Sequence, residues 1–348
     1  GSGSPVYPSH TFETRYLYNS LNEVIIQDSP DADSTRFWYD EVGRLVTSQD
    51  GRQRPDSLYS YTVYDSLGRI IEVGEIDQST AMTDSIARNQ TSNAFSDLLS
   101  TGLKSQIAKT YFDEAPFSLV INGDNFEQEN LRPRVASTTF DENGNGIYEH
   151  ATHYSYDQTG NVKTIVQEIE ALDQFGQRFK RIDYEYDYVS NDVHKVCYQR
   201  NLKDQFTHRY EYDENNRIIA TYTSLVETSI NDSPLWEKEA TNQYYLHGAF
   251  ARKELGILRV QGIDYAYTLQ GWMKGYNSSI ISTQRDMGKD GVSTRSAAQD
   301  AFAYSIGYFD EDYKQLNGTP FELSYQGTSF GNASSSLFNS NIRHISLE

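Results

Sequence analysis

Apolar and polar residues alternate with a period of two over short stretches along most of the chain. Tyr59, Tyr61 and Val63 form one such run, and Tyr154 with Tyr156, Tyr184 with Tyr186, and Tyr210 with Tyr212 form others. A period of two places alternate side chains on one face of a β-strand. Each run ends in an aromatic residue, an Asp or Asn and a short turn, after which the apolar pattern restarts in RLV, RII, NVK and RII. The predicted element is a β-hairpin, repeated.

Seven copies align: YNSLNEV at Tyr18, YDEVGRL at Tyr39, YDSLGRI at Tyr64, FDENGNG at Phe140, YDQTGNV at Tyr156, YDYVSND at Tyr186 and YDENNRI at Tyr212, with spacings of 21, 25, 76, 16, 30 and 26 residues. The long gap predicts degenerate copies or an insertion between Tyr64 and Phe140. Periods of this size mark repeat architectures. After the aromatic come Asp40, Asp65, Asp141, Asp157, Asp187 and Asp213, whose carboxylates can accept backbone N–H groups two residues on and so start a turn. Four residues after the aromatic stand Asn22, Gly43, Gly68, Gly144, Gly160, Ser190 and Asn216; Gly and Asn are the residues that tolerate positive φ, and Ser190 departs from the pattern. Arg44, Arg69 and Arg217 open the returning strand. A type I turn closed by a left-handed residue is a common hairpin connection. A lone hairpin is marginal in water, so the copies are expected to stabilise one another in a continuous sheet. Shorter turns such as Asp50-Gly51 are expected to link one hairpin to the next.

Two stretches break the pattern. Residues 84–106 include AFSDLLSTG with helical spacing, which predicts a helical insertion with Gly102 as its C-cap. From about Arg252 the repeat fades into VQGIDYAYTLQGWMKGYN, a polar loop over about 282–298, and a strand-rich tail. The expected organisation is a hairpin array over 5–250 and a continuation over 251–348. Gly1–Ser4, GSGS, read as a cloning remnant and Leu347-Glu348 as another, which would make this an excised segment.

Composition narrows the function. Apolar residues make up 37% and aromatic residues 13%, with 27 Tyr, which disfavours disorder. Tyr suits a sheet face that buries its ring and leaves its hydroxyl in water. The net charge of −19 argues against nucleic acid and anionic membrane surfaces as partners. No apolar run approaches the roughly 18 residues of a membrane span. The single cysteine, Cys197, excludes an internal disulfide and is expected to be a buried or neutral thiol.

Candidate chemistry is sparse. Asp141, Asn143 and Asn145 are ordered like the start of a calcium loop, but the twelfth position is Thr152 rather than Glu, and a hairpin turn needs the same residue types. Asp286 in DMGKDG is a weaker candidate of the same kind. His150 and His153 would lie on opposite faces of a strand, which disfavours a zinc pair. No catalytic or cofactor-binding residue is assigned, and the chain is expected not to be an enzyme. Trp38, Trp236 and Trp272 are expected apolar anchors, with Trp272 packing a turn against the sheet.

The Tyr-Asp-x-x-Gly-Arg hairpins resemble the YD repeats of Rhs proteins, toxin-complex C components and teneurins. FKRIDYEYD, HRYEYDENNRI, VQGIDYAYTLQGWMKGYN and LFNSNIRH are similar to the version in large Rhs proteins of Bacteroidetes, and the resemblance extends over about residues 5–346. It implies an all-β fold: antiparallel hairpins in a curved or spiralling sheet that forms part of a shell. It also implies a secreted or cell-surface scaffold that encloses or presents a C-terminal toxin, with the rest of the shell and secretion machinery as partners. The paired Asp-Pro-x-Gly elements of the family's self-cleaving segment are not found here, so neither protease nor toxin activity is carried over. An adhesin holding glycans on Tyr faces is the alternative, and a polysaccharide hydrolase a weaker one. Unpaired sheet edges predict a homodimer or contacts that cover them.

Overall fold

The computed structural model describes residues 13–30, 33–88, 93–121, 123–226, 236–292, 297–309, 312–314, 321 and 337–348. Gly1–Ser4 and residues 293–296 of the polar loop lie outside this set. The chain divides into two compact units, Gly1–Arg181 and Ile182–Glu348. That division falls well before the sequence change near residue 250.

In the first unit, antiparallel strands follow one another in chain order: β1 (Arg15–Tyr18), β2 (Val24–Ser29), β3 (Asp33–Tyr39), β4 (Leu45–Gln49), β5 (Leu58–Tyr64), β6 (Ile70–Asp77) and β7 (Leu103–Phe112). A small separate hairpin, β8 (Leu119–Ile121) with β9 (Asp124–Phe126), then intervenes. The main ladder resumes as β10 (Val135–Asp141) on β7, followed by β11 (His150–Tyr156) and β12 (Val162–Ile169).

In the second unit, from Ile182 onward, β13 (Phe179–Tyr186) pairs with β14 (Val193–Tyr198). The meander continues through β15 (Phe206–Tyr212), β16 (Ile218–Ser224), β17 (Glu237–Tyr244) and β18 (Phe250–Leu255). It ends with β19 (Gln261–Tyr267), β20 (Met273–Tyr276), β21 (Tyr304–Gly307) and β22 (His344–Leu347). The fold is the expected all-β array of antiparallel hairpins. Leu347 pairs with Tyr304, and Glu348 exchanges backbone bonds with Ala303, so the last two residues belong to the ladder.

The helical insertion is shorter than expected. It consists of α1 (Asp84–Arg88) and α2 (Ala94–Thr101), and residues 103–106 are already β7. Gly102 is not left-handed; its backbone is extended, and a Cβ there would lie 2.5 Å from Ile76 Cγ1. Close packing, not cap conformation, requires glycine. The insertion covers one face of β4–β6: Val46, Tyr59, Tyr61 and Ile76 meet Met82, Ala87, Leu98 and Leu99, with Trp38 at the margin. Fully burying a side chain such as Ile76 contributes about 1.5–3 kcal/mol, so this cluster anchors the sheet where the insertion interrupts the repeat. The Asp50-Gly51 link is also longer than predicted, running as turns over residues 50–57.

Candidate functional site

The signature residues build a repeated clasp. In the turn after Tyr39, Asp40 N–H donates to Arg44 O at 2.9 Å and Gly43 N–H to Asp40 O at 3.2 Å. Asp40 Oδ1 accepts from the N–H groups of Val42 and Arg44, and Oδ2 accepts from Arg44 Nε at 2.7 Å. Asp65 with Arg69 and Asp213 with Arg217 repeat these bonds, and Asp157 with Asn161 makes the same set using an amide. The side chain therefore satisfies backbone donors that a tight turn leaves unpaired.

The clasp then reaches the next hairpin. Tyr39 Oη donates to Val24 O, Tyr64 to Leu45 O, Tyr156 to Val135 O, Tyr212 to Val193 O and Tyr244 to Ile218 O, all at 2.7–2.9 Å. Arg44 lies over the Tyr64 ring and Arg217 over the Tyr244 ring, each 4.5 Å from the centroid. The expectation of hydroxyls left in water fails for these five tyrosines, because each hydroxyl is spent on the carbonyl that follows the preceding turn. In the ladder a register shift also falls immediately before Tyr18, Tyr39, Tyr64, Tyr156, Tyr186, Tyr212, Tyr244 and Tyr267.

These marks revise the list of copies. Phe140 pairs with His150 without such a shift, and its turn joins β10 to β11 at the opposite end of the strands from the Tyr39, Tyr64 and Tyr156 turns. The copy in the long gap is instead Phe112-Asp113. Asp113 N–H donates to Arg134 O, Arg69 lies over the Phe112 ring, and Arg134 lies over the Tyr156 ring. Residues 114–133, which hold β8 and β9, stand where other copies have three turn residues. Ser190 is no exception to the left-handed slot: the Tyr186 turn is one residue longer, and Asn191 takes φ 66°. Two further copies carry Tyr245 and Thr268 in the Asp position, with Gly248 and Gly271 left-handed. In the second of these Trp272 occupies the Arg position; its ring is 5.0 Å from that of Tyr308, whose hydroxyl donates to Met273 O.

The remaining candidates lie as follows. Asp141 accepts N–H groups of Gly144, Asn145 and Gly146, and the Asn143 amide donates to Glu149, so both carboxylate oxygens serve their own turn. His150 is exposed while His153 is wholly buried. Cys197 is buried, with Thr207 Oγ1 donating to its sulfur at 3.4 Å.

Two buried polar clusters are only partly visible in the sequence, which offers His153 and Asp286 without the partners they meet here. In the first unit Ser137 Oγ, His153 and Glu168 are joined in line across β10, β11 and β12 at 2.8 and 3.1 Å. A hydrolase uses such an order, but Ser137 and His153 are 0% exposed, so no substrate can reach the hydroxyl in this conformation. Arg178 and Tyr148 bind the outer side of Glu168, which with Phe117 and Phe179 lines an open cleft of about 510 Å³. Burial works to raise the Glu168 pKa, but the bonds from His153 and Arg178 outweigh it and hold the carboxyl below its ordinary value.

In the second unit Arg252 binds Asp264, Asp290 Oδ1 at 2.7 Å and Glu254 at 3.1 Å. Asp286 accepts N–H groups of Gly288 and Asp290, closing the loop that carries it. Burial raises Asp264 to about 7, with Arg252 opposing and Asp286 and Asp290 adding to the rise. Burial, then the Asp286 and Asp290 charges, takes Asp300 to about 7 as well. The partners lie up to 38 residues apart in sequence, which hid the cluster from any local motif.

No protein-family model and no curated protein matches the chain. Solved structures do share its fold. The crystal structure of TcdB2-TccC3 without hypervariable C-terminal region matches with a TM-score of 0.53 and 12% identity, over 85% of this chain and 12% of that one. That of TcdB2-TccC3-Cdc42 matches with a TM-score of 0.50 and 13% identity, over 76% of this chain and 11% of that one. The chain thus spans about an eighth or less of the chains it matches, and the likeness is one of fold.

Proposed function

We propose that this chain is a structural wall segment of a secreted bacterial Rhs-type protein, part of a shell that encloses or presents a C-terminal toxin. The observation that carries this reading is the clasp: the turns after Tyr39, Phe112 and Tyr212 are each tied by a Tyr hydroxyl and an Arg to the next hairpin, so these repeats cross-link into a wall. The shared fold with TcdB2-TccC3 supports it. The remainder of the shell and the toxin are its partners, and the segment performs no catalysis. Among the described residues no helix is long and apolar enough to cross a membrane.

The glycan-binding alternative needs free Tyr faces, whereas Arg44, Arg134 and Arg217 cover the rings of Tyr64, Tyr156 and Tyr244, and the hydroxyls of these three are engaged by backbone carbonyls. A hydrolase needs two carboxylates across an open cleft, whereas Asp264 and Asp290 are buried and share Arg252. Electron cryomicroscopy of the full-length parent protein tests the reading. This segment is expected within the wall of a hollow shell, with density for the C-terminal domain inside or at its mouth. A free-standing array with its C-terminal domain elsewhere overturns it.

A further inference from the structure

Asp264 leaves β19, and Asp286 and Asp290 come from the polar loop beyond β20. One carboxylate oxygen of each lies within 4.8 Å of the others, and all three residues are buried. Arg252 does not complete this set. Its Nε is taken by Glu254, one terminal nitrogen by Asp264 and the other by Asp290 Oδ1. Asp290 is 0% exposed, and its Oδ2 has no hydrogen-bond donor. Arg252 meets the charge of Asp290 at one oxygen only, and a buried polar atom left without a donor is disfavoured.

The backbone is shaped to the cluster. A Cβ at Gly262 would lie 2.1 Å from Asp290 Oδ2, and one at Gly288 would lie 2.4 Å from Asp264 Oδ2. Both glycines let the main chain close on the acids, and the two N–H bonds to Asp286 fix its carboxylate.

We propose that Asp264, Asp286 and Asp290 bind one hard divalent cation, calcium by the number of carboxylates that the protein supplies. Carboxylate oxygens are the ligands such ions take, and calcium accepts several protein carboxylates, whereas magnesium keeps most of its waters and is usually held by one or two. The ion would tie the polar loop to β19, giving the stretch where the repeat fades a fastening that its sequence lacks.

The test is calorimetric titration of the chelator-stripped 348-residue chain with calcium chloride and separately with magnesium chloride, alongside thermal unfolding with and without each ion. One calcium site and a calcium-dependent rise in Tm are expected, as binding to the native state alone requires. Asp290→Asn should weaken calcium at least about tenfold, and Asp141→Asn should leave it unchanged. Should Asp290→Asn not fold, the wild-type titration still decides. No heat and no stabilisation at millimolar calcium overturns the proposal, as does binding lost in Asp141→Asn and kept in Asp290→Asn. Tighter binding of magnesium overturns the calcium assignment.

Discussion

Tyr64 Oη donates to Leu45 O at 2.9 Å, joining the end of one hairpin to the start of the strand returning from the previous turn. The bond explains why the signature residue is Tyr more often than Phe. Tyr64→Phe keeps the ring beneath Arg44 and removes this bond alone. A buried neutral hydrogen bond contributes about 1 kcal/mol, so Tm is expected to fall by about 2–4 °C. An unchanged urea midpoint would refute the clasp.

Arg217 both forks onto Asp213 and covers the Tyr244 ring. A double-mutant cycle of Arg217→Ala with Tyr244→Leu should show a favourable coupling of about 0.5–1 kcal/mol. Arg217→Lys should lose part of it, since an ammonium cannot keep the planar fork. Strict additivity in urea unfolding would mean the stacking is incidental.

Gly144 and Gly146 sit in one turn, both left-handed, with φ 69° and 84°. A Cβ at Gly144 would lie 1.8 Å from Lys104 O, while one at Gly146 meets nothing within 4 Å. Gly146→Ala should cost only the left-handed strain of about 1–2 kcal/mol. Gly144→Ala should cost clearly more, because the backbone of β7 must move. Comparable denaturation midpoints for the two variants would contradict this packing.

Glu72 accepts from Tyr61 Oη and Lys104 Nζ, both at 2.7 Å. Burial acts to raise its pKa, but these bonds and the Lys104 and Lys109 charges bring it below the ordinary value of 4.5. Near that value the unfolded chain binds more protons than the folded one, so stability rises with pH. The contribution is complete above the unfolded value and is lost as pH falls through 4.5 to the folded value beneath it. Urea midpoints measured across pH 3–6 should decline less steeply on acidification in Glu72→Gln than in wild type. Parallel profiles would remove Glu72 from the acid response.

Strand β1 pairs with β2 and, among the described residues, exposes Tyr16, Leu17 and Tyr18 at about half of their surface. Such an apolar edge invites pairing with another chain. Leu17→Lys is therefore expected to lower the average mass seen by light scattering at high concentration. A wild-type chain that stays monomeric throughout would leave the edge without that role.

The array was legible because its turn chemistry is local. Asp and a left-handed Gly or Asn three residues apart specify the same bonds wherever they occur, so Tyr39, Tyr64, Tyr156 and Tyr212 could be read directly. The same locality misled at Phe140, whose Asp141 and Gly144 make an equivalent turn at the other end of the strands. Only register distinguishes the two, and register depends on strands far away in sequence. Tyr245 and Thr268 passed unnoticed because backbone bonds and a left-handed Gly close a turn without a carboxylate. DMGKDG brings Asp286 near Asp290 and reads as a weak calcium candidate, but Asp264 joins them only after β19, β20 and the polar loop have folded together, and no spacing in the sequence announces that.

The Phe112-Asp113 turn shows what the clasp leaves free. Its neck is fixed by Asp113 N–H to Arg134 O, by Arg69 over Phe112 and by Tyr156 Oη to Val135 O. Residues 114–133 fold back onto the strands: Gln128 donates to Ala136 O and Tyr154 O, and Tyr156 N–H donates to Glu129 O. The inserted chain takes up the bonds beyond the last β10–β11 pair, Ser137 with His153. This turn thus takes in twenty residues in place of three while β7 still pairs with β10 and β10 with β11, because the added chain supplies the bonds that the strand ends need. Length can therefore vary at such a turn without rewriting the register of the strands on either side of it.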